Sequence, residues 1–185
     1  GTATVPYDAG IAGRTEMIGD GYLEFRSGNP NGSFVIGLND EPPSATSFTD
    51  LEFSLSIQAN STYFVFEDGS FIPAASYSIP NTYSPDDKFR IVRQGSTIHY
   101  QTLPVGKSSY VTFYTSTKNI INEGKRLFVD VGMYTVGGII TDITVGIAPN
   151  TLWPGYGFTS GSTNQPSYIN SYFNNLNGPY GYPSW

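Results

Sequence analysis

The sequence predicts an all-β protein in which two antiparallel sheets pack face to face. About eleven short segments rich in β-branched and aromatic residues follow one another, and each is bounded by turn residues. No segment carries an amphipathic helical period of useful length. Short strands without intervening helices are typical of sandwiches and jelly rolls, because an antiparallel sheet that buries one face must stack on another layer.

The clearest single element is a hairpin within residues 88–102. Gly95-Ser96 separates two alternating segments, and glycine at the first central position is typical of a type II′ turn. If Gln94 pairs with Thr97, the register places Ile91 opposite Tyr100, Arg93 opposite Ile98, Phe89 opposite Thr102, Val92 opposite His99 and Arg90 opposite Gln101. One face of this hairpin is then apolar and the other polar.

A second hairpin is predicted where Gly19-Asp20-Gly21 joins segments 15–18 and 22–26. The preceding residues, 1–14, are rich in small side chains and are predicted to be an N-terminal arm that leads into the first strand. We expect the two segments to pair with each other.

A third hairpin is predicted at Asp68-Gly69, a dipeptide typical of type I′ turns. Pairing Glu67 with Ser70 places Phe66 opposite Phe71 and Val65 opposite Ile72, so both faces of the hairpin are apolar. One face belongs to the core, and the other must meet a second layer, an arm or a partner. The remaining predicted strands are residues 33–38, 52–58, 110–115, 126–134 and 139–145.

Length and composition predict one domain with a separate tail. A chain of 185 residues is long enough for one β domain with a sizeable core. We assign residues 1–148 to the sandwich and residues 149–185 to the tail. The net charge of −6, with nine Lys and Arg in all and no basic cluster, argues against nucleic acid as a partner.

The sequence also lacks cysteine and any long apolar run. There is no cysteine, which excludes thiolate catalysis, cysteine-bound zinc and disulfides. No apolar run approaches the roughly 20 residues of a membrane span, so we expect no membrane insertion.

Residues 149–185 differ from the rest of the chain. They are rich in Gly, Pro, Asn and Tyr and contain both tryptophans. Such a segment cannot build its own core, yet many aromatic side chains are costly to leave in water. We expect it to pack on its own sandwich or on a neighbouring subunit. Its aromatic residues are candidates either for stacking on sugar rings or for anchoring a subunit interface: Trp153, Tyr156, Tyr180, Tyr182 and Trp185.

The order of turn and strand motifs resembles the concanavalin A-like lectin/glucanase, or SPRY-like, jelly rolls. The motifs are Gly19-Asp20-Gly21-Tyr22-Leu23-Glu24-Phe25, Phe34-Val35-Ile36-Gly37-Leu38, Val65-Phe66-Glu67-Asp68-Gly69, Asp86-Asp87-Lys88-Phe89-Arg90-Ile91 and Gly95-Ser96-Thr97-Ile98-His99-Tyr100. Such domains occur in phage tail fibres, other virion proteins and bacterial surface proteins. The resemblance covers about residues 8–147, and these motifs specify a fold better than a function. The extra residues at 102–110 and the tail depart from it.

One predicted strand carries candidate catalytic residues. Glycan-cleaving relatives of this fold carry acids at alternate positions of one strand, usually three of them, to flank a glycosidic bond. Asp50 and Glu52 have that spacing, but Ser54 replaces a third acid. We therefore expect Glu52 to be a solvated residue at a strand edge. His99, the only histidine, falls on the polar hairpin face, where we expect hydrogen bonding rather than catalysis.

We expect no cofactor. Ca²⁺ is the one metal for which the sequence contains candidate oxygen ligands. Asp86-Asp87 and Asp40-Glu41 are the candidate ligands, although neither has the spacing of a known calcium loop. Asp86-Asp87 is also a common turn signal. Asn31-Gly32-Ser33 and Asn60-Ser61-Thr62 match the acceptor pattern for N-glycosylation, which asparagine-rich turns also produce by chance.

From these observations we expect a non-enzymatic module of a virion appendage, such as a tail or head fibre, or of a cell surface. Its role would be attachment to a glycan or other receptor, and assembly. The alternatives are a virion structural or decoration protein whose tail bridges subunits, and a glycan hydrolase of concanavalin-like fold. The appendage analogy implies an extracellular or virion location and a homo-oligomer, with a trimer as the expected state.

Overall fold

A computed structural model describes residues 9–28, 32–40, 51–120, 125–134 and 139–147. All of them belong to the first of the two units into which the chain divides, Gly1–Pro149 and Asn150–Trp185. The described residues contain no helix long and apolar enough to cross a membrane.

The described residues form eleven strands and one short 3₁₀ turn at Ala74–Ser76. The strands are β1 (Ala9–Ile18), β2 (Gly21–Ser27), β3 (Phe34–Asn39), β4 (Phe53–Ile57), β5 (Tyr63–Glu67), β6 (Ser70–Ile72), β7 (Lys88–Gln94), β8 (Thr97–Leu103), β9 (Val111–Thr115), β10 (Arg126–Met133) and β11 (Ile140–Ile147).

The strands form two antiparallel sheets. The six-stranded sheet has the order β1-β10-β3-β4-β5-β6, and the five-stranded sheet has the order β11-β2-β7-β8-β9. Apolar side chains from both sheets meet in one buried cluster, which includes Leu23, Phe25, Phe34, Leu55, Tyr63, Phe89, Ile91, Tyr100, Phe113 and Leu127. The all-β class and the antiparallel sandwich of the jelly-roll type are therefore as predicted.

The hairpin of β7 and β8 has the predicted register throughout, from Gln94 opposite Thr97 to Phe89 opposite Thr102. Gly95 has φ +58° and Ser96 has no positive φ, as a type II′ turn requires. The hairpin also has one face in the core and one polar face, as predicted, but the core face includes one charged side chain. Arg93 is 1% exposed on the core face, where its Nη1 donates to the carbonyl of Lys125 at 2.6 Å.

The hairpin of β5 and β6 is also as predicted. Glu67 pairs with Ser70, and Asp68 and Gly69 have φ of +48° and +69°, the left-handed pair that defines a type I′ turn. Phe71 is 50% exposed and contacts Phe66 on the outer face, so the second apolar face is only partly covered.

The predicted hairpin of β1 with β2 is wrong. Gly19, with φ +73°, does turn the chain between them, but β1 pairs with β10 and β2 pairs with β7 and β11. The two strands therefore lie in different sheets. A turn dipeptide fixes a local change of direction, whereas the choice of sheet depends on partners that are distant in sequence.

Candidate functional site

The outer face of the five-stranded sheet carries a polar and aromatic surface that crosses every strand. One row of directly opposed residues runs Thr144, Glu24, Arg90, Gln101, Thr112 across β11, β2, β7, β8 and β9. A neighbouring row runs Gly146, Tyr22, Val92, His99, Thr115. With strands about 4.8 Å apart, each row is about 19 Å long, which is room for an oligosaccharide rather than for one small molecule.

Arg90 lies between two tyrosine rings on this surface. Its Cζ is 4.2 Å from the ring centroid of Tyr22 and 3.9 Å from that of Tyr110. Tyr22 is on β2 and Tyr110 immediately precedes β9, so the rings approach the arginine from opposite sides along the sheet. Cation–π contact on both sides holds the planar guanidinium in one orientation.

Glu24 holds the charged groups of this surface together. Its Oε2 accepts hydrogen bonds from Arg90 Nε at 2.6 Å and from the Tyr110 hydroxyl at 2.5 Å, and its Oε1 accepts one from Lys88 Nζ at 3.0 Å. The Glu24 side chain is only 11% exposed. The carboxylate is thus occupied by three donors of the protein itself. We call Tyr22, Glu24, Lys88, Arg90 and Tyr110 the arginine–tyrosine cluster.

The electrostatics of the cluster favour an ionised Glu24. Burial alone raises the pKa of this carboxyl, but hydrogen bonds from Tyr110, Lys88 and Arg90 outweigh it and lower the pKa below its ordinary value. Burial and the hydrogen bond to Glu24 raise the pKa of Tyr110, so its hydroxyl remains a donor. The cluster is therefore charged and fully formed at neutral pH.

A glycine on the edge strand makes room for Tyr22. A Cβ atom built on Gly146 would overlap the tyrosine ring, so the ring lies directly over the glycine backbone. This close approach packs the Tyr22 ring against the edge strand and restricts its rotation.

Polar groups surround the cluster. Gln101 Nε2 donates to Thr112 Oγ1 at 3.0 Å, and His99 Nδ1 lies 3.0 Å from Thr115 Oγ1. At the other side, Arg26 lies 3.3 Å from a carboxylate oxygen of Asp142 and 3.7 Å from one of Asp86. The surface therefore combines aromatic rings with hydrogen-bonding groups on a rigid sheet.

Glu52, the candidate catalytic acid, differs from its prediction. It is 8% exposed rather than solvated, and its carboxylate lies 3.0 Å from the ammonium groups of both Lys118 and Lys125. These lysines also pair with Asp68 and Asp40. The carboxylate is buried because Glu52 directly precedes β4, a central strand of its sheet. The two lysine ammonium groups supply the opposite charge that a buried carboxylate requires. Asp50 lies outside the described residues.

The candidate calcium ligands have structural roles. The carboxylate of Asp87 accepts hydrogen bonds from the backbone N–H of Ser84 at 2.9 Å and of Val105 at 2.8 Å. Asp40 pairs with Lys125 at 2.6 Å. Across the described ranges, no group of three or more His, Asp or Glu side chains is arranged to hold a metal ion.

The other sequence candidates have the following positions. His99 lies on the polar hairpin face, opposite Val92 as predicted. Asn60 is exposed, and its Oδ1 accepts hydrogen bonds from both the N–H and the hydroxyl of Thr62. Asn31 and Glu41 lie outside the described residues, as do all the aromatic candidates of the tail: Trp153, Tyr156, Tyr180, Tyr182 and Trp185.

Sequence reasoning missed the arginine–tyrosine cluster. Its local signal was present, because the alternation in β2 and in β7 places Glu24 and Arg90 on the polar side of each strand. The missing step was the pairing of β2 with β7, in which Glu24 and Arg90 are 66 positions apart in the chain. Tyr110 lies in residues 102–110, where the sequence departs from the concanavalin A-like motifs that it otherwise resembles.

The backbone is similar to those of several solved structures, three of which have the following overlaps with this chain. They are the PSpry domain of TRIM65 (TM-score 0.47, 10% identity, 75% of this chain and 70% of that chain), a legume lectin-like domain from Entamoeba histolytica (0.45, 8%, 75% and 74%) and sheep galectin-11 in complex with glycerol (0.32, 10%, 77% and 99%). SPRY and lectin domains are the jelly rolls that the sequence motifs resemble. No protein-family model and no curated protein matches the sequence.

Proposed function

We propose that this chain is a non-enzymatic glycan-binding module that uses the outer face of its five-stranded sheet. The observation that carries the proposal is the arginine–tyrosine cluster. It sets two tyrosine rings and a fixed arginine beside a row of hydrogen-bonding side chains that crosses the whole sheet. A sugar ring has an apolar C–H face that packs on aromatic rings and hydroxyl groups that require hydrogen-bond partners.

The rigidity of the surface supports binding. Its side chains project from paired strands, and Arg90 and Glu24 restrain each other through a 2.6 Å hydrogen bond. A ligand that meets an already ordered surface loses less free energy to the ordering of side chains.

The surroundings of Glu52 support a role without catalysis. Its carboxylate is buried and paired with two lysine ammonium groups, so it is not presented to a glycan. Glycoside cleavage requires an acid that reaches the leaving group and gives it a proton. We expect incubation with a bound glycan to leave its chain length unchanged.

The setting that we propose is a virion appendage or a cell surface, in a homo-oligomer outside the cell. The low charged fraction, 13%, and the aromatic composition of residues 149–185 support this setting. A structural or decoration role, with the tail bridging subunits, is the alternative. Deletion of residues 150–185 separates assembly from ligand binding when the mass of the particle is measured by light scattering and glycan binding is measured beside it. The alternative requires the deletion to lower the mass, and it requires that neither the full chain nor the truncated chain binds a glycan.

The binding proposal is tested with the full chain on an array of surface oligosaccharides and polysaccharides. We expect binding to a subset of glycans, and we expect Gln101→Ala to weaken it because Gln101 lies directly opposite Arg90 in the polar row. Gln58→Ala, the same change directly after β4 of the six-stranded sheet, is the matched control. Absence of binding to every glycan, or equal weakening by both variants, would overturn the proposal.

A further inference from the structure

We infer that the glycan is acidic, and that carboxylate groups on its sugars bind at Lys88 and Arg90. This inference rests on the proposed glycan-binding function and adds the chemical class of the ligand. It follows from the balance between hydrogen-bond donors and acceptors in the arginine–tyrosine cluster.

The donors of the cluster are only partly used. An arginine carries five N–H groups and a lysine ammonium three. In the described part of the chain, Glu24 accepts one hydrogen bond from Arg90, through Nε, and one from Lys88. The Nη groups of Arg90 and the other protons of Lys88 are left for water or a ligand.

The acceptors of the cluster are used almost completely. Glu24 is the one carboxylate in it, and that group already accepts hydrogen bonds from Lys88, Arg90 and Tyr110. A neutral sugar offers hydroxyl groups, each of which both donates and accepts, and a surface for neutral sugars therefore benefits from free acceptors as well as donors. A surface with spare donors and an occupied acceptor fits a ligand that is rich in acceptors.

Exposure places the positive charge toward solvent. The side chains of Lys88 and Arg90 are 32% and 27% exposed, whereas that of Glu24 is 11% exposed. An approaching ligand therefore meets two cations above one more deeply buried anion. Charge-assisted hydrogen bonds to a carboxylate are the strongest contacts such a pair can make, and the planar edge of arginine suits both carboxylate oxygens.

The acidic residues nearby lie to one side. Asp86 and Asp142 are exposed and pair with Arg26, which lies directly opposite Lys88 on β2. On the opposite side of Arg90 the row continues into Gln101 and Thr112, which carry no charge. We therefore expect the acidic glycan to extend from Lys88 and Arg90 toward β8 and β9, away from the two aspartates.

The test is binding of the full chain to paired oligosaccharides on an array. Oligogalacturonates, oligomannuronates and sialyl-lactose are each printed beside their carboxyl-reduced neutral counterparts. We expect acidic members to bind at least about tenfold more tightly than their reduced partners, the factor of one charge-assisted hydrogen bond. Equal or better binding of the neutral members overturns this inference and leaves the proposed function standing. No binding to any glycan overturns both.

Two variants assign the effect to the cluster. Lys88→Gln keeps a hydrogen-bond donor and removes the charge, so it should weaken acidic ligands about tenfold and the reduced ones by a clearly smaller factor. Arg126→Gln, on the six-stranded sheet and 63% exposed, removes the same charge elsewhere and should change neither. Equal loss in both variants would indicate a general charge effect and would contradict the assigned site.

Discussion

Arg90 and Glu24 lie directly opposite each other on β7 and β2, and Arg90 Nε donates to Glu24 Oε2 at 2.6 Å. This contact joins two strands far apart in sequence and fixes the guanidinium between its two tyrosine rings. It is both a cross-strand ion pair that stabilises the sheet and the element that orients the proposed binding surface.

Glu24→Gln is expected to lower the free energy of unfolding at neutral pH by about 1 kcal/mol, because Lys88 and Arg90 lose their shared carboxylate and both are partly screened by solvent. Urea unfolding at pH 7 measures the change. Glu16→Gln removes the exposed pair with Arg126 and should stay within about 0.5 kcal/mol. Equal effects in the two variants would mean that the cluster contributes no more than a surface ion pair.

The pH dependence of the Glu24 contribution has a defined sign. The folded-state pKa lies below the ordinary value of 4.5, so the stabilisation is present above about pH 4.5 and is lost as the pH falls through the lower folded pKa. The difference in unfolding free energy between the wild type and Glu24→Gln should therefore be constant near neutrality and shrink in acid. A difference that grows in acid would contradict this assignment.

Glu67 is expected to behave in the opposite way. Burial raises its pKa and outweighs the hydrogen bonds from Ser116 and Tyr100, the latter at 3.2 Å. Its stabilising contribution is complete below about pH 4.5 and is lost as the pH rises through the raised pKa. Relative to the wild type, Glu67→Gln should thus gain stability as the pH increases from 4 to 8, measured by urea unfolding across that range. A constant difference would contradict the raised pKa.

Gly146→Ala tests the support of Tyr22. Its Cβ would overlap the tyrosine ring, so we expect a loss of about 1–3 kcal/mol in unfolding free energy, the range for overpacking. Tyr22→Leu in the same chain should recover part of that loss because it vacates the space above residue 146. Additive losses in a double-mutant cycle would show that the ring and the glycine do not interact.

Gly95→Ala tests the turn of the central hairpin. The φ of +58° at this position is unfavourable for a residue with a Cβ atom, and we expect a loss of about 1 kcal/mol even though no atom lies within 4 Å of the new methyl group. Ser96→Ala, the other turn position, should cost less than about 0.5 kcal/mol. Thermal unfolding of both variants measures the difference, and equal costs would argue against the type II′ turn.

The sequence was most informative where contacts are local. Gly95-Ser96 and Asp68-Gly69 fixed two turn types and, through them, the full register of two hairpins. It was misleading at Gly19, because that turn passes the chain from one sheet to the other. Local turn chemistry contains no information about which sheet a strand joins.

The candidate site was predictable only in part. Alternation within β7 and β8 is enough to place Arg90, His99 and Gln101 on the polar face of their hairpin. The pairing with Glu24 and the approach of Tyr110 depend on strand neighbours and on a loop, so no pattern within one segment indicates them. The tail aromatics lie outside the described residues and stay a prediction.

The most direct test of the central claim is a ¹H–¹⁵N NMR titration of the full chain with the glycan that binds most tightly on the array. The account predicts the largest amide shifts in β2, β7 and β8 near Glu24, Arg90 and Gln101, together with a shift of the Arg90 Nε–H signal. Shifts confined to the six-stranded sheet, or to residues 149–185, would contradict binding at the outer face of the five-stranded sheet.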